Sequence, residues 1–175
     1  MLDSEGINVA LDLIKDRSKV LGLTVGSHKV EPGKYISRNE AKAAPQVSFN
    51  SLSPDRTYLV ICIDLDAPFS SFSFMAPILH WLQSGLKPSP DGSGCLQSSE
   101  PPISNYRGPG PPPGAAPHRY VFLLYEQPDG FDAKKYAPAG GKDMGMGPRI
   151  RWNLDAWVKE VELGPVLAVN YFTSN

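Results

Sequence analysis

Two uninterrupted apolar runs dominate the pattern of hydrophobic and polar positions along the chain. They extend from Tyr58 to Ile63 and from Tyr120 to Tyr125. Runs of this kind, without alternating polar residues, are typical of strands that are buried on both faces of a sheet. The pattern therefore predicts a central sheet covered on both faces, as in a sandwich with small flanking helices.

Shorter segments predict further strands around these two. Residues 29–36 are typical of a hairpin, because Pro32 and Gly33 are favoured at turns. Elsewhere apolar residues alternate with polar ones, as in half-buried strands, or form brief apolar runs. These further strands are predicted at 21–25, 47–49, 77–83 and 166–172.

Two helices are predicted near the ends of the chain. The first covers 4–15, with Ser4 as its N-cap. The second begins after Asn153, which can cap it, and stops at Gly164 and Pro165. A short helical turn is predicted within 37–44. The apolar faces consist of Ile7, Leu11 and Ile14 in the first helix and of Leu154, Trp157, Val158 and Val161 in the second.

Composition favours a loop-rich, mostly β protein over a helical bundle. The 175 residues include 18 prolines and 16 glycines, and this length fits one domain over 1–175. Residues 84–117 have little periodicity, which is unusual inside a compact domain. Because apolar strands are predicted on both sides of this stretch, we interpret it as a functional loop folded over the rim of the sheet.

Charge, cysteine content and motifs exclude several classes of function. The formal net charge of −1 lacks the basic excess of a nucleic-acid-binding protein. Two cysteines, Cys62 and Cys95, are too few for a disulfide scaffold and favour a reducing compartment. No secretory signal and no run of roughly 18 apolar residues is present. We therefore expect a cytoplasmic protein without nucleic-acid partners or integral membrane contact.

Acidic residues directly follow the first apolar run. Asp64 and Asp66 stand at its end, and His80 lies in the next predicted strand. A carboxylate beside a core is costly unless it is paired, hydrogen-bonded or functional. We therefore expect Asp64, Asp66 and His80 to converge at the rim of the sheet. Asp66 is also expected to pair with Arg119, because both flank strands that should be neighbours.

Four sequence blocks and the C-terminal end carry a resemblance to a known family. They are DLDAP at 64–68, LHWL at 79–82, YRGPGPPPG at 106–114, HRYVFLLY at 118–125, and the ending at 163–172. In this order they resemble the phosphatidylethanolamine-binding protein (PEBP) family, in the style of fungal members related to the yeast carboxypeptidase Y inhibitor. The chain departs from the family at Leu65, where proline is usual, and at 73–77, where a pocket-wall aromatic residue lacks a clear counterpart.

The resemblance implies a fold and a binding site. The fold is mostly β with peripheral helices: a central antiparallel sheet, a small second sheet, and a C-terminal helix and strand. The site is a small pocket for phosphate-type anions. Histidine rings and glycine backbone N–H groups suit such a ligand, and prolines restrict the loop that presents them. The implied ligand-binding residues are Asp64, Pro68, His80, Gly110, Pro111, Pro112, His118 and Tyr120.

Three functional hypotheses follow. The first is a PEBP-type binding or regulatory protein that holds a small anionic or zwitterionic ligand, performs no chemistry, and has a serine carboxypeptidase as a possible partner through 1–19. The second is an enzyme in which Asp64, His80 and His118 act as acid and base on a small apolar metabolite, by isomerisation, dehydration or cyclisation. The third is a scaffold in which the pocket acts as a switch. For the enzyme, a wider and more apolar pocket is expected from Phe69, Phe72, Phe74 and Met75.

Other chemistries fit poorly. The chain lacks a Gly-x-Ser-x-Gly elbow, a phosphate-binding Gly-x-x-x-x-Gly-Lys-Ser/Thr loop, and Cys-x-x-Cys or His-x-x-x-His pairs. Three histidines and two scattered cysteines argue against a zinc site, so neither metal nor cofactor is expected. Arg149 and Arg151, which precede the second helix, could steer an anion but are interpreted as a solvated pair, and His28 is interpreted as a structural residue. Core positions are expected for Trp81, Trp152 and Trp157.

Overall fold

The structure is a computed structural model that describes residues 5–175. Its regular elements alternate with short 3-10 turns, as expected for a chain rich in proline and glycine. In order they are α1 (Glu5–Asp12), β1 (Gly22–Val25), β2 (His28–Lys29), β3 (Lys34–Tyr35), β4 (Gln46–Ser48), β5 (Tyr58–Asp64), β6 (Ile78–Pro88), β7 (Leu96–Gln97), β8 (His118–Glu126), α2 (Leu154–Glu160) and β9 (Ala168–Ser174).

The strands form a large sheet and a small one. The large sheet has the strand order β3-β9-β8-β5-β6-β7, and the small sheet has the order β2-β1-β4. Neighbouring strands are antiparallel except β3 and β9, which pair in parallel. This mostly β arrangement with two sheets, two α-helices and a C-terminal strand confirms the predicted fold class.

Both faces of the large sheet are buried, as the two apolar runs predicted. Every residue of β5 is buried, and its side chains alternate between two clusters. Val60 and Cys62 pack against the small sheet, whereas Leu59 and Ile61 pack with α1 and α2. Burying one large apolar side chain contributes about 1.5–3 kcal/mol. A strand with this many buried side chains is therefore held firmly, and the residues at its end have a defined position.

The predicted hairpin at 29–36 is wrong in its pairing, although the turn at Pro32 and Gly33 exists. The strands on its two sides belong to different sheets. β2 pairs with β1 in the small sheet, and β3 pairs with β9 in the large one. The Gly33 N–H donates to the Tyr171 carbonyl at 2.9 Å, so the turn carries the chain from one sheet to the other.

The loop predicted at 84–117 begins later than expected. β6 continues to Pro88, because pairing with β5 and β7 overrides the weak strand preference of its serine, glycine and proline. The remaining loop returns along the free edge of β6. Leu82 N–H donates to the Ser104 carbonyl at 3.0 Å, and Arg107 N–H donates to the His80 carbonyl at 2.9 Å. The loop therefore covers the rim of the sheet, as predicted.

The helices are shorter than the sequence suggested. α1 ends at Asp12 and a 3-10 turn, Leu13–Lys15, follows; the predicted N-cap Ser4 lies outside the described residues. Asn153 caps α2, since its side chain accepts a hydrogen bond from the Ala156 N–H at 3.0 Å. Trp81 and Trp157 are buried as predicted. Within residues 5–175, none of the helices has the length and apolar character needed to cross a membrane.

Candidate functional site

A cavity of about 510 Å³ lies where β5, β6 and β8 end. A larger cleft of about 740 Å³ lies beside β4, but its wall contains no buried carboxylate or histidine. The smaller cavity therefore holds the candidate chemistry. It is lined by Asp64, Ala67, Pro68, Met75, Ile78, His80, Arg107, Gly108, Gly110, Pro112, His118 and Met146.

Asp64 forms the polar floor of the cavity. It is the last residue of β5 and only 3% exposed. One carboxylate oxygen accepts a hydrogen bond from the Asp66 N–H at 2.8 Å, and the other lies 2.9 Å from Nδ1 of His118. Both oxygens are therefore engaged, which is what a buried carboxylate requires.

Asp66 faces the next strand rather than the cavity. Its carboxylate accepts two hydrogen bonds from the guanidinium of Arg119, at 2.8 and 2.9 Å, and one from the Arg119 backbone N–H at 2.8 Å. Burial would raise the pKa of Asp66, but the bonds and charge of Arg119 outweigh it and lower the pKa. The predicted Asp66–Arg119 pair is confirmed. The predicted convergence holds for Asp64 and His80, while Asp66 anchors the turn.

A β-bulge brings His80 to the cavity. Cys62 lies opposite Trp81 and Ile63 lies opposite Leu79, so His80 is the extra residue on β6. A bulge re-aims a side chain. Here it places the His80 ring against the ring of Tyr120, with centroids 5.0 Å apart.

His80 and His118 lie on either side of Asp64 and differ in their ionisation. Burial lowers the pKa of His80, against the opposing effects of its hydrogen bond to the Arg107 carbonyl and of the Asp64 charge. For His118, burial acts in the same direction, but the hydrogen bond and charge of Asp64 prevail and raise its pKa. These opposite shifts favour the charged form of His118, in an ion pair with Asp64, and the neutral form of His80.

The hydrogen bonds of His80 define which of its atoms faces a ligand. Nδ1 lies 2.7 Å from the Arg107 carbonyl oxygen. A carbonyl only accepts, so Nδ1 carries the proton. The unprotonated Nε2 lies 4.0 Å from the Asp64 carboxylate, which leaves room for a ligand atom or a proton at Nε2.

Six of the eight residues implied as ligand-binding line the cavity, and their binding role stays a prediction. Pro111 and Tyr120 do not line it. The Pro111 carbonyl accepts a hydrogen bond from the Arg38 guanidinium. Tyr120 is 1% exposed and packs edge-on against the His80 ring. Burial raises the pKa of its hydroxyl, which therefore keeps its proton.

Several wall residues were missed or misplaced by sequence reasoning. Met146 lies in the irregular Gly/Met-rich stretch at 131–147, where the sequence shows no periodicity that would place a side chain. Met75 lines the cavity as expected, but the three nearby phenylalanines do not. They stand 40–66% exposed on the loop between Pro68 and Met75, whose ends are joined by a hydrogen bond from the Met75 N–H to the Ala67 carbonyl. These exposed residues are Phe69, Phe72 and Phe74.

Arg149 corrects another expectation. It is 0% exposed rather than part of a solvated pair, and its guanidinium donates only to backbone and amide oxygens. Arg151, two residues further on, is exposed as expected. Sequence gives no signal for this difference, because both arginines flank the same short segment.

Comparison with known proteins places the chain in a family. A family model described as phosphatidylethanolamine-binding protein matches residues 26–172. The chain belongs to the phosphatidylethanolamine-binding protein family. The resemblance of the sequence blocks is thereby confirmed.

Two fungal relatives of this PEBP chain are named for different roles. It is 31% identical over 160 residues to "Phomoidride biosynthesis cluster protein N" of Talaromyces stipitatus, covering 82% of this chain and 77% of the relative. It is 29% identical over 150 residues to the carboxypeptidase Y inhibitor of Saccharomyces cerevisiae, covering 78% of this chain and 68% of the relative.

Solved structures agree with the fold. The crystal structure of carboxypeptidase Y inhibitor complexed with its cognate proteinase gives a TM-score of 0.73 at 26% identity, over 98% of this chain and 92% of that one. A phosphatidylethanolamine-binding protein from Plasmodium vivax gives a TM-score of 0.67 at 18% identity, over 89% and 84%. The second likeness shows the fold alone.

The Asp64–His118 pair predicts a pH dependence of stability. Because the folded-state pKa of His118 is raised, the pair's contribution is fully present below the unfolded pKa of about 6.5 and is lost as pH rises through the folded pKa. In Asp64→Asn, the His118 titration should move to lower pH, and less stability should be lost above pH 6.5. NMR titration of the histidine rings and urea unfolding at several pH values measure both.

The control for Asp64→Asn is a substitution of a surface acid that lies beside another histidine. Glu40 lies 2.6 Å from His28, and Glu40→Gln should leave the His118 titration unchanged. An equal shift of His118 in the two variants would contradict the assignment to Asp64.

Proposed function

We propose that this PEBP-family chain is a binding protein that holds a small acid, with a phosphate-type or carboxylate group, in the 510 Å³ cavity and performs no chemistry on it. The observation that carries the proposal is the pairing of a neutral His80 with a charged His118–Asp64 ion pair at the base of the cavity. A cavity floor that is neutral or positively charged suits an anionic ligand, whereas an unpaired carboxylate would repel it.

Charge compensation supports this assignment. The positive charge of His118 offsets that of Asp64 at 2.9 Å, so the base of the cavity has no net negative charge from these two groups. His80 offers Nε2, which gains a proton when an anion is near. Gly108 and Gly110 line the same cavity and let a ligand approach the backbone closely.

The rest of the wall indicates the body of the ligand. Ala67, Pro68, Met75, Ile78 and Met146 present apolar surface to the cavity. A typical ligand site combines such a wall with a few convergent polar groups. We therefore propose an acid with an apolar body rather than a highly polar sugar phosphate.

An enzymatic function is the alternative, favoured by one specific observation. The pKa values of His80 and His118 are displaced in opposite directions around one carboxylate, which is how sites separate an acid from a base. The relative named for a biosynthesis cluster adds support for a small metabolite. In this hypothesis His80 is the base and His118 with Asp64 the acid.

The binding proposal predicts that anion affinity rises as pH falls. Because burial lowers the pKa of His80 below its usual value of 6.5, the ring gains a proton only as the pH falls below that value. A charge-assisted hydrogen bond to the protonated ring contributes roughly 1.5–3 kcal/mol. Sulfate, whose charge is constant between pH 5 and 8, should bind more tightly at pH 5 than at pH 8, by up to roughly tenfold. Calorimetric titration measures this.

Matched histidine variants decide whether His80 is responsible. His80→Gln should lose the pH dependence, and the surface variant His28→Gln should keep it. Sulfate binding that is independent of pH in the wild type would overturn the role given to His80.

A serine carboxypeptidase is proposed as a partner, because the relative that inhibits carboxypeptidase Y shares the fold over nearly the whole chain. The face of α1 is proposed as part of the contact, since Val9 is 56% exposed there.

The full chain should inhibit carboxypeptidase Y in a peptidase assay, and Val9→Asp should weaken that inhibition. Phe72→Ser, at a residue that is 66% exposed on the loop between Pro68 and Met75 rather than on α1, is the control. Full peptidase activity at micromolar concentrations of the chain would contradict the proposal.

Recovery of the ligand separates the binding protein from the enzyme. Medium-chain carboxylic acids that raise the melting temperature should be recovered unchanged by mass spectrometry after long incubation, if the cavity only binds. Conversion of an acid, lost in both His80→Gln and His118→Gln at preserved fold, would instead establish the acid–base enzyme.

A further inference from the structure

Arg149 is a buried cation that has no hydrogen-bonded carboxylate among residues 5–175. It ends the 3-10 turn Gly147–Arg149 and is 0% exposed. A buried charge is unfavourable unless its hydrogen bonds are satisfied and its charge is used. All three nitrogens of its guanidinium donate, but every acceptor is a neutral carbonyl or amide oxygen. The structure therefore leaves its charge uncompensated by a contacting acid.

The acceptors belong to three separate segments. Nη1 donates to the carbonyls of Leu79 and His80, at 3.1 and 3.3 Å. Nη2 donates to the backbone and side-chain oxygens of Asn105, the former at 2.9 Å. Nε donates to the Met144 carbonyl at 3.1 Å. One side chain thus joins β6, the loop along its edge and the Gly/Met-rich stretch.

Each of these segments supplies a wall of the cavity. β6 contributes His80, the edge loop contributes Arg107 and Gly108, and the Gly/Met-rich stretch contributes Met146. The Asn105 side chain strengthens the junction, because it also accepts a hydrogen bond from the Met144 N–H at 3.2 Å. Three walls therefore meet at a single guanidinium directly behind His80.

The charge of Arg149 persists at neutral pH. Burial lowers its pKa to about 10, with the Arg107 charge acting in the same direction and Asp143 acting against it. Its field reaches the histidine in the cavity: the pKa of His80 is lowered mainly by burial and further by the charges of Arg149 and His118, while the hydrogen bond to Arg107 and the charge of Asp64 raise it. These groups fix the electrostatic balance at the base of the cavity.

We propose that Arg149 is a specificity-determining positioning residue: it holds the three walls around His80 and gives the cavity a fixed positive potential that selects anions over neutral ligands of the same shape. The inference rests on the proposed anion-binding function and names the residue that sets its selectivity. Arg149 does not line the cavity, so it acts through His80 and the edge loop rather than by touching the ligand.

Two substitutions separate the effect of the Arg149 charge from that of its planar set of hydrogen-bond donors. Arg149→Met removes both, and Arg149→Lys keeps the charge but loses the planar fork. Arg151→Met removes an exposed arginine two positions away and is the matched control. The probes are sulfate and dimethyl sulfone, which have similar shapes but differ in charge. Binding is measured at pH 8, where His80 is neutral, and the His80 titration is followed by NMR.

The expected results differ between the variants. In Arg149→Met, sulfate should bind roughly tenfold more weakly than in the wild type, dimethyl sulfone should change by less than about twofold, and His80 should titrate at higher pH because a nearby positive charge is gone. Arg149→Lys should keep the preference for sulfate and the His80 titration. Hydrogen exchange at the Arg107 amide should accelerate in this variant, because fewer hydrogen bonds hold the edge loop to β6. Arg151→Met should resemble the wild type.

Other outcomes would overturn the inference. An equal loss of both probes with an unchanged His80 titration in Arg149→Met would show a purely structural role. If that variant does not fold, loss of sulfate preference in a folded Arg149→Lys would contradict the selectivity role equally well. Absence of sulfate binding in the wild type would instead contradict the proposed function, while the His80 titration and the amide exchange still decide whether Arg149 positions this wall.

Discussion

The candidate site depends on the buried ion pair between Asp64 and His118. Asp64 ends a strand with no exposed residue, and without a partner its carboxylate would oppose the burial that holds the sheet together. His118 starts the neighbouring strand and supplies that partner at 2.9 Å. Removing one member of such a pair typically costs about 3–5 kcal/mol. The same interaction leaves His80 as the uncharged neighbour of a neutralised pair, so one contact sets both the local fold and the electrostatics of the cavity.

The sequence predicted the parts of this arrangement that depend on local pattern. The two apolar runs located β5 and β8, and the order of charged residues at their ends was sufficient to pair Asp66 with Arg119. Features that depend on distant partners were not predictable. The hairpin expected at 29–36 failed because a turn signal shows where the chain reverses but not which strands its two sides join. The bulge at His80 is a property of the register between β5 and β6, which no local pattern specifies.

Arg149 illustrates the same limit for a charged residue. A cation near a helix start is most often solvated, and nothing in 147–151 distinguishes Arg149 from Arg151. The difference arises because three segments that are far apart in sequence leave their carbonyls pointing at one position. Unpaired carbonyls in a buried junction need donors, and a guanidinium supplies five in one plane. Burial of the arginine is thus a consequence of how the loop crosses the edge of the sheet.

The fold does not decide between a binding protein and an enzyme, but the accessibility of the two histidines bears on the choice. Acid–base catalysis by a pair requires that both groups reach the substrate. The side chain of His80 is 10% exposed, whereas that of His118 is 1% exposed, with Nδ1 committed to Asp64 and Nε2 buried. Only His80 therefore offers a nitrogen that can exchange a proton with a ligand. One exchangeable proton is sufficient to bind an anion, whereas proton transfer at two positions of a substrate needs a second accessible group. The geometry for this reason favours binding.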